Sequence, residues 1–158
     1  MKQNANRFHM RRKDRQVTNP AQIEKIIQEA KICHLALIDD GEPYAVPVNF
    51  GWESSCLYFH SVNEGRKVDI LKRNNTVSFN IVGKMEVTDA SSCKVAYRSV
   101  SGTGTAHIVA AVEEKVRGIR AIMRQIIGSE FDFPLESLGQ TMVFRIDIRD
   151  IQGKQAGK

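Results

Sequence analysis

Between Pro43 and Phe50 the residues Tyr44, Val46, Val48 and Phe50 alternate with smaller or more polar neighbours, the period of a strand with one buried face. This run follows the turn sequence Asp39-Asp40-Gly41-Glu42, which itself follows the mostly apolar Ile32 to Ile38. Two such runs around an Asp-Gly turn predict a β-hairpin. A connection at Gly51 to Ser55 then leads to Cys56-Leu57-Tyr58-Phe59-His60-Ser61, short and aromatic-rich as strands are. Antiparallel strands in succession predict a meander and point away from a helical or parallel-sheet fold.

The rest of the chain fits the same class. Asn19-Pro20-Ala21-Gln22 opens a helix, with Asn as cap and Pro at its first position. Ile23, Ile26, Ile27 and Ala30 form its buried stripe, and it ends near Lys31. Glu64 to Arg73 predicts a short helix with Val68 and Leu71 inward, and Thr76 to Val82 a strand with Val77, Phe79 and Ile81 on one face. Residues 83 to 95 read as polar and irregular, with a short strand at Lys84 to Val87. Tyr97 to Val109 predicts a long strand in which Gly102 and Gly104 permit a bend or close packing. Val112 to Ile127 predicts an amphipathic helix with Val116, Ile119, Met123, Ile126 and Ile127 inward and Gly128 at its end, and Thr141 to Ile148 a last strand. The expected architecture is mainly β, a closed or nearly closed antiparallel barrel with flanking helices. It occupies one domain, 1–158, with an extended N-terminal arm over 1–17.

With 158 residues, 42% of them hydrophobic, one domain can bury a substantial core. No apolar run approaches the roughly 18 to 20 residues of a membrane span, and MKQNANRFHMRRKDR contains no apolar signal-peptide region. A soluble, cytoplasmic protein is expected, with no membrane partner. Cys33, Cys56 and Cys93 include no CxxC pair, so they read as reduced thiols rather than a disulfide or zinc framework. The net charge of +5 includes a local run, Arg11, Arg12, Lys13 and Arg15, interrupted by Asp14. Without interleaved aromatics or a recognition-helix pattern it reads as a solvated or subunit-packing arm rather than a nucleic-acid site. The same cations could attract an anionic ligand.

The segment His60-Ser61-Val62-Asn63-Glu64-Gly65-Arg66-Lys67 places Arg66 and Lys67 in the first turn of a helix. Cations there oppose the helix dipole, at a cost of about 0.3 to 1 kcal/mol each, whereas an anion is favoured by the dipole and by free N–H groups. A phosphate would resolve the conflict, with Ser61 adding a hydroxyl, Arg66 a forked pair and Lys67 a point charge. The alternative is that both cations extend into solvent. In Ala45-Val46-Pro47-Val48-Asn49-Phe50, Pro47 cannot donate to a strand ladder, which predicts an edge, a bulge or a ligand there. Ala45, Pro47 and Asn49 leave room for a flat ring whose edge could bond the strand's polar groups. A plain edge strand with one solvent face fits equally well. None of His9, His34, His60 and His107 has metal-site spacing. His34 and His107 are assigned structural roles, and His60, beside the candidate phosphate site, a functional one. Ser99 lacks a GxSxG setting, and Gly102-Thr103-Gly104 lacks the full dinucleotide fingerprint.

Taken in order, Met10-Arg11-Arg12-Lys13-Asp14-Arg15, Pro43-Tyr44, Val46-Pro47-Val48-Asn49-Phe50-Gly51, Leu57-Tyr58-Phe59-His60-Ser61, Glu64-Gly65-Arg66-Lys67 and Ser99-Val100 resemble the nitroimidazole-resistance branch of the pyridoxamine 5′-phosphate oxidase-like flavoproteins. The likeness is specific up to Ala110 and looser beyond it. It implies a split β-barrel that forms a homodimer with two FMN molecules at the subunit interface. By that likeness Pro47, Val48, Asn49 and Phe50 line the isoalloxazine ring, His60 and Ser61 flank the ribityl-phosphate, Arg66 and Lys67 hold the phosphate, and Ser99 reaches the cofactor across the interface. The implied activity is an FMN-dependent oxidoreductase that reduces 5-nitroimidazoles, with His60 as the catalytic candidate. Its substrate would be a small nitroaromatic molecule and its electron donor a species such as NAD(P)H. The alternative is a non-catalytic flavin- or haem-binding split barrel. The chain ends Ile148-Arg149-Asp150-Ile151-Gln152-Gly153-Lys154, without the Arg- and Trp-containing motif of true pyridoxamine phosphate oxidases, so vitamin B6 oxidation is not expected.

Overall fold

The computed structural model describes residues 10–92, 94–129, 134, 138–139 and 141–157. His9, Cys93 and most of the arm lie outside them. Helix α1, Pro20–Glu29, begins where the sequence predicts: Asn19 Oδ1 accepts from the N–H groups of Ala21 at 2.9 Å and Gln22 at 3.4 Å, a cap contributing about 1 kcal/mol. Its Ile23, Ile26 and Ile27 are buried. Strands β2, Ile32–Asp39, and β3, Glu42–Glu53, pair from Ile32–Asn49 to Asp39–Glu42. Asp40 and Gly41 close the hairpin with φ of 51° and 93°, the left-handed pair that a tight antiparallel turn requires. Strand β4, Cys56–Val62, completes the meander.

The connection expected at Gly51 to Ser55 is shorter than the sequence suggests. Strand β3 continues to Glu53, and only Ser54 and Ser55, with φ of 51° and 62°, make the turn. Gly51 is a contact glycine: a Cβ there would lie 2.3 Å from the Ala121 carbonyl carbon and 2.4 Å from the Ile122 nitrogen. Helix α3, Val112–Ile127, therefore packs its backbone directly onto β3.

Helix α2 spans Arg66–Arg73 with Val68, Ile70 and Leu71 buried. Strands β5, Thr76–Asp89, and β6, Lys94–Ile108, form one long hairpin, which corrects the irregular reading of residues 83 to 95. A register shift between Val82 and Met85 changes the phase of the alternation and conceals the strand. The last strand, β7, runs Thr141–Ala156, well past Ile148. Its second half pairs with β6 and with β1, Gln16–Val17, so the end of the predicted arm is folded. The sheet order is β1-β7-β4-β3-β2-β5-β6, and pairing of β6 with β7 closes the barrel.

Phe50, Phe59, Phe79 and Phe144 fill the interior, with Phe59 and Phe144 stacked at 4.8 Å between ring centroids. Gly102 serves the close packing expected of it, since a Cβ there would meet Phe79 Cζ at 2.4 Å and the Asp150 carbonyl oxygen at 2.5 Å. Outside the barrel, Ile119 and Ile122 of α3 pack on Tyr58, Val109 and Val143. Ile127, predicted inward, is exposed at the helix end, where Gly128 adopts the left-handed cap with φ of 77°. Its place in the buried stripe is taken by Gly118, Ala121 and Gln125.

Candidate functional site

Tyr44, Val46, Val48 and Phe50 turn toward the barrel, so Ala45, Pro47 and Asn49 project from its outer surface. Cross-strand pairing extends that surface over four strands. Pro47 lies opposite His34, His34 opposite Asn80, and Asn80 opposite Ser101. Ala45 lies opposite Ala36, then Ser78 and Thr103. The result is a broad outer face of small and polar side chains, with Ile32, Ile38 and Val82 left 46 to 47% exposed. Val48 and Phe50 are buried in the core, so a ligand on this face could meet them only through their backbone.

The edge suggested by Pro47 exists locally, although β3 is an interior strand by sheet order. Its pairing with β4 runs only from Phe50–Phe59 to Glu53–Cys56, while pairing with β2 covers Glu42 to Asn49. Beyond the Phe50–Phe59 pair the two strands part, with Asn49 and His60 as the next residue on each. This opening is the split of the barrel. The Asn49 side chain donates to the Lys31 carbonyl at 3.3 Å, leaving its own Oδ1 for another donor.

Helix α2 starts beside this opening. Gly65, with φ of 109°, precedes it, and no side chain caps it. The N–H groups of Val68 and Asp69 both bond to the Gly65 carbonyl, so those of Arg66 and Lys67 sit at the open helix end. Lys67 Nζ lies 5.7 Å from the Phe59 ring centroid, and burial lowers its pKa. Burial, then the charge of Lys67, holds the His60 imidazole below its ordinary 6.5. Ser61 is half-buried next to it. Arg66 is already engaged: its Nε donates to Asp39 Oδ2 at 2.8 Å and its guanidinium lies 4.6 Å from the Tyr44 ring centroid. Arg73 holds the other oxygen of Asp39 at 2.5 Å.

His60 and Ser61 lie on the β4 side of the split, with Lys67 close to His60 and Phe59. Arg66 reaches instead to Asp39 and Tyr44, and Pro47 and Asn49 lie on the β3 side. Ser99 shares the outer face but lies across β2 and β5 from them, opposite Val82 and Lys154. His34, assigned a structural role from sequence, projects onto this outer face beside Pro47, and Asn80, not singled out from sequence, donates to Ser101 Oγ at 2.8 Å. An Asn in the outward phase of a strand was the available signal, since strands disfavour it. His107 has a structural setting: it approaches Asp147 at 3.3 Å, and Arg145 joins Asp147 to Glu114 of α3 at 2.7 Å each. Among the described residues no group of His, Cys, Asp and Glu could hold a metal ion. No described helix is long and apolar enough to cross a membrane.

A family model described as pyridoxamine 5′-phosphate oxidase matches residues 19–155. The comparison with curated protein sequences gave no match. Among solved structures, a Bacteroides thetaiotaomicron protein provisionally assigned to 5-nitroimidazole antibiotic resistance is similar at 29% identity, with a TM-score of 0.77 over 89% of this chain and 86% of that one. An FAD-binding protein from Mesorhizobium loti shares the fold at 21% identity, with a TM-score of 0.66 over 89% of this chain and 96% of that one. An FAD- and haem-binding protein from Mycobacterium smegmatis shares it at 17% identity, with a TM-score of 0.75 over 91% and 74%. The barrel closed through β6 and β7 and split between β3 and β4, with the family model matching from α1 to the end of β7, places this chain in the pyridoxamine 5′-phosphate oxidase family.

Proposed function

We propose that this chain is an FMN-dependent oxidoreductase, active on small nitroaromatic compounds of the 5-nitroimidazole class and assembled as a homodimer. The observation that carries the reading is the uncapped start of α2, where the N–H groups of Arg66 and Lys67 are open and Lys67 lies close to His60. Such an end fits a phosphate monoester, and the space over Ala45, Pro47 and Asn49 fits a flat ring. The similar protein from Bacteroides thetaiotaomicron supports the substrate class, and the flavin-binding proteins of the same fold support the cofactor class.

A bound flavin supplies hydride or single-electron transfer. The chain's own residues would bind and orient. Lys67 contributes a desolvated charge, Ser61 a hydroxyl and α2 its dipole. Arg66, the exposed partner of the pair, can leave Asp39 without stranding that carboxylate, because Arg73 stays on it. Asn49 Oδ1 and the backbone around Pro47 would hold the polar edge of the ring. His60 is largely neutral near pH 7, and an anion beside it would raise its affinity for a proton. It would then hold a proton within reach of a nitro oxygen at the split.

Reconstitution with FMN tests the reading. Bound flavin should absorb near about 450 nm, bleach with NADH or dithionite, and reoxidise on adding a 5-nitroimidazole. Lys67→Ala should weaken FMN binding by about tenfold or more, and His60→Ala should retain FMN but lose turnover. Failure to bind FMN sinks the proposal, and a His60→Ala protein with full turnover removes that residue from the chemistry.

A further inference from the structure

The basic run of the N-terminal arm has no part in the flavin reading, yet the fold gives it a defined place. Arg15 Nη1 donates to the Tyr97 hydroxyl at 3.3 Å, and Lys154 Nζ lies 5.8 Å from the centroid of the same ring. These groups come from the turn before β1, from β6 and from β7, and pairing of Gln16 and Ser99 with Lys154 fixes their arrangement. The neighbouring carboxylates are already committed. Asp14 is bridged to Arg12 at 2.5 Å, Glu29 to Arg98 at 3.2 Å and Glu86 to Lys84 at 3.3 Å. Among the described residues Arg15 and Lys154 form no salt bridge, although both are half-buried. Two cations therefore converge on one phenol with no carboxylate bridging either.

Gln155, Ala156 and Gly157 form the wall shared by two clefts beside the cluster, of about 560 and 330 Å³. One is lined by Arg12, Arg15, Gln22 and the Arg12-bound Asp14, the other by Lys84, Tyr97, Arg98 and the Lys84-bound Glu86. Together they offer charge, side-chain amides and room for a small molecule.

We infer that Arg15, Tyr97 and Lys154 form a second anion site, which takes the phosphate or carboxylate group of a small ligand other than the flavin. Within one chain it is separate from the start of α2. Thr141, at the beginning of β7, pairs with Val62 just before that helix, whereas Lys154 lies near the opposite end of the same strand. The chemistry is charge-assisted bonding: a forked donor from Arg15, a point charge from Lys154 and the Tyr97 hydroxyl as a further donor. The phenol also reports on the site, because the bond from Arg15, with Lys154 adding to it, lowers its pKa. An anion seated between the cations would cancel that effect and raise it again.

Inorganic phosphate is the probe, added to FMN-saturated protein with ionic strength matched by chloride. Tyrosinate absorbance follows ionisation of the phenol, and Tyr97→Phe identifies its share of the signal. Phosphate should move the Tyr97 transition to higher pH and give a saturable heat of binding, whereas chloride should do neither. Lys154→Gln and Arg15→Gln should each weaken phosphate by roughly tenfold to a hundredfold, and Lys13→Gln, an exposed cation of the same arm, should not. Two variants guard against one failing to fold. Equal responses to phosphate and chloride, or equal losses in Lys154→Gln and Lys13→Gln, would leave only diffuse screening and overturn the site. If phosphate binds only until FMN is added, the cluster belongs to the flavin grip of a second copy and the separate site is refuted. Phosphate binding that persists when FMN does not bind at all would sustain this site and count against the flavin reading alone.

Discussion

His60 shows how one residue's surroundings set its chemistry. Its imidazole is exposed at the split in a single chain, yet burial of part of the ring and the charge of Lys67 both disfavour the protonated form. Because the folded-state pKa lies below the unfolded value of 6.5, the unfolded chain binds more protons in the window between the two. Stability therefore rises with pH through that window and is lost as pH falls below 6.5. Solvent screening makes this contribution small. Urea unfolding of the flavin-free protein across this range should show a shallower loss in acid for His60→Gln than for the unsubstituted chain. Parallel curves would mean that His60 titrates alike in both states. Phosphate bound at α2 should raise the His60 pKa, observable in its ring proton shifts, so the same residue links cofactor occupancy to proton affinity.

At the scale of elements, β3 carries both the site and the main contact with α3. The two roles are joined at Gly51, where the strand lies against the helix backbone at Ala121 and Ile122. Gly51→Ala would force those backbones apart, because neither close atom belongs to a flexible side chain. It should destabilise the protein by about 1 to 3 kcal/mol or more, read as a lower denaturant midpoint. A midpoint within error of the unsubstituted protein would show that α3 can shift freely. The same glycine explains a limit of sequence reading. Gly51 looked like a turn because a loop glycine and a contact glycine are identical in one sequence, and only the approach of α3 distinguishes them. The β5–β6 hairpin was hidden for a related reason, since the shift after Val82 breaks the alternation that would have revealed it. The caps and turns, by contrast, were legible because Asn19-Pro20 and Asp40-Gly41 act through neighbouring backbone alone. The candidate site divides in the same way. Ser61, Arg66 and Lys67 could be put forward together because they lie in one continuous segment. The sharing of Asp39 by Arg66 and Arg73, and the meeting of Asn80 with Ser101, depend on elements that only the closed sheet brings together.

At the scale of the whole molecule, the outer face of β3, β2, β5 and β6 raises the question of what covers it. Ile32, Ile38 and Val82 stand there nearly half exposed, at 46 to 47%, beside the small residues Ala36, Ala45 and Pro47. Either this face stays in water, or, in the homodimer proposed above, it is the surface against which a second copy packs, continuous with the split and with Ser99 at its far side. The two possibilities predict opposite outcomes for Ile32→Glu combined with Val82→Glu. On a face that stays in water, each substitution should change stability by no more than about 0.5 kcal/mol and leave the mass in sedimentation equilibrium unchanged. On a face shared by two copies, each protomer would bring unpaired carboxylates into an apolar interface, and the dimer should dissociate into folded monomers. FMN affinity should fall with it, by about tenfold or more if residues of the second copy hold part of the flavin. A substituted protein that remains dimeric would exclude this face as the interface. A monomer that binds FMN as tightly as before would mean that one chain holds the whole site, and that Ser99, across the sheet from His60, plays no part in it.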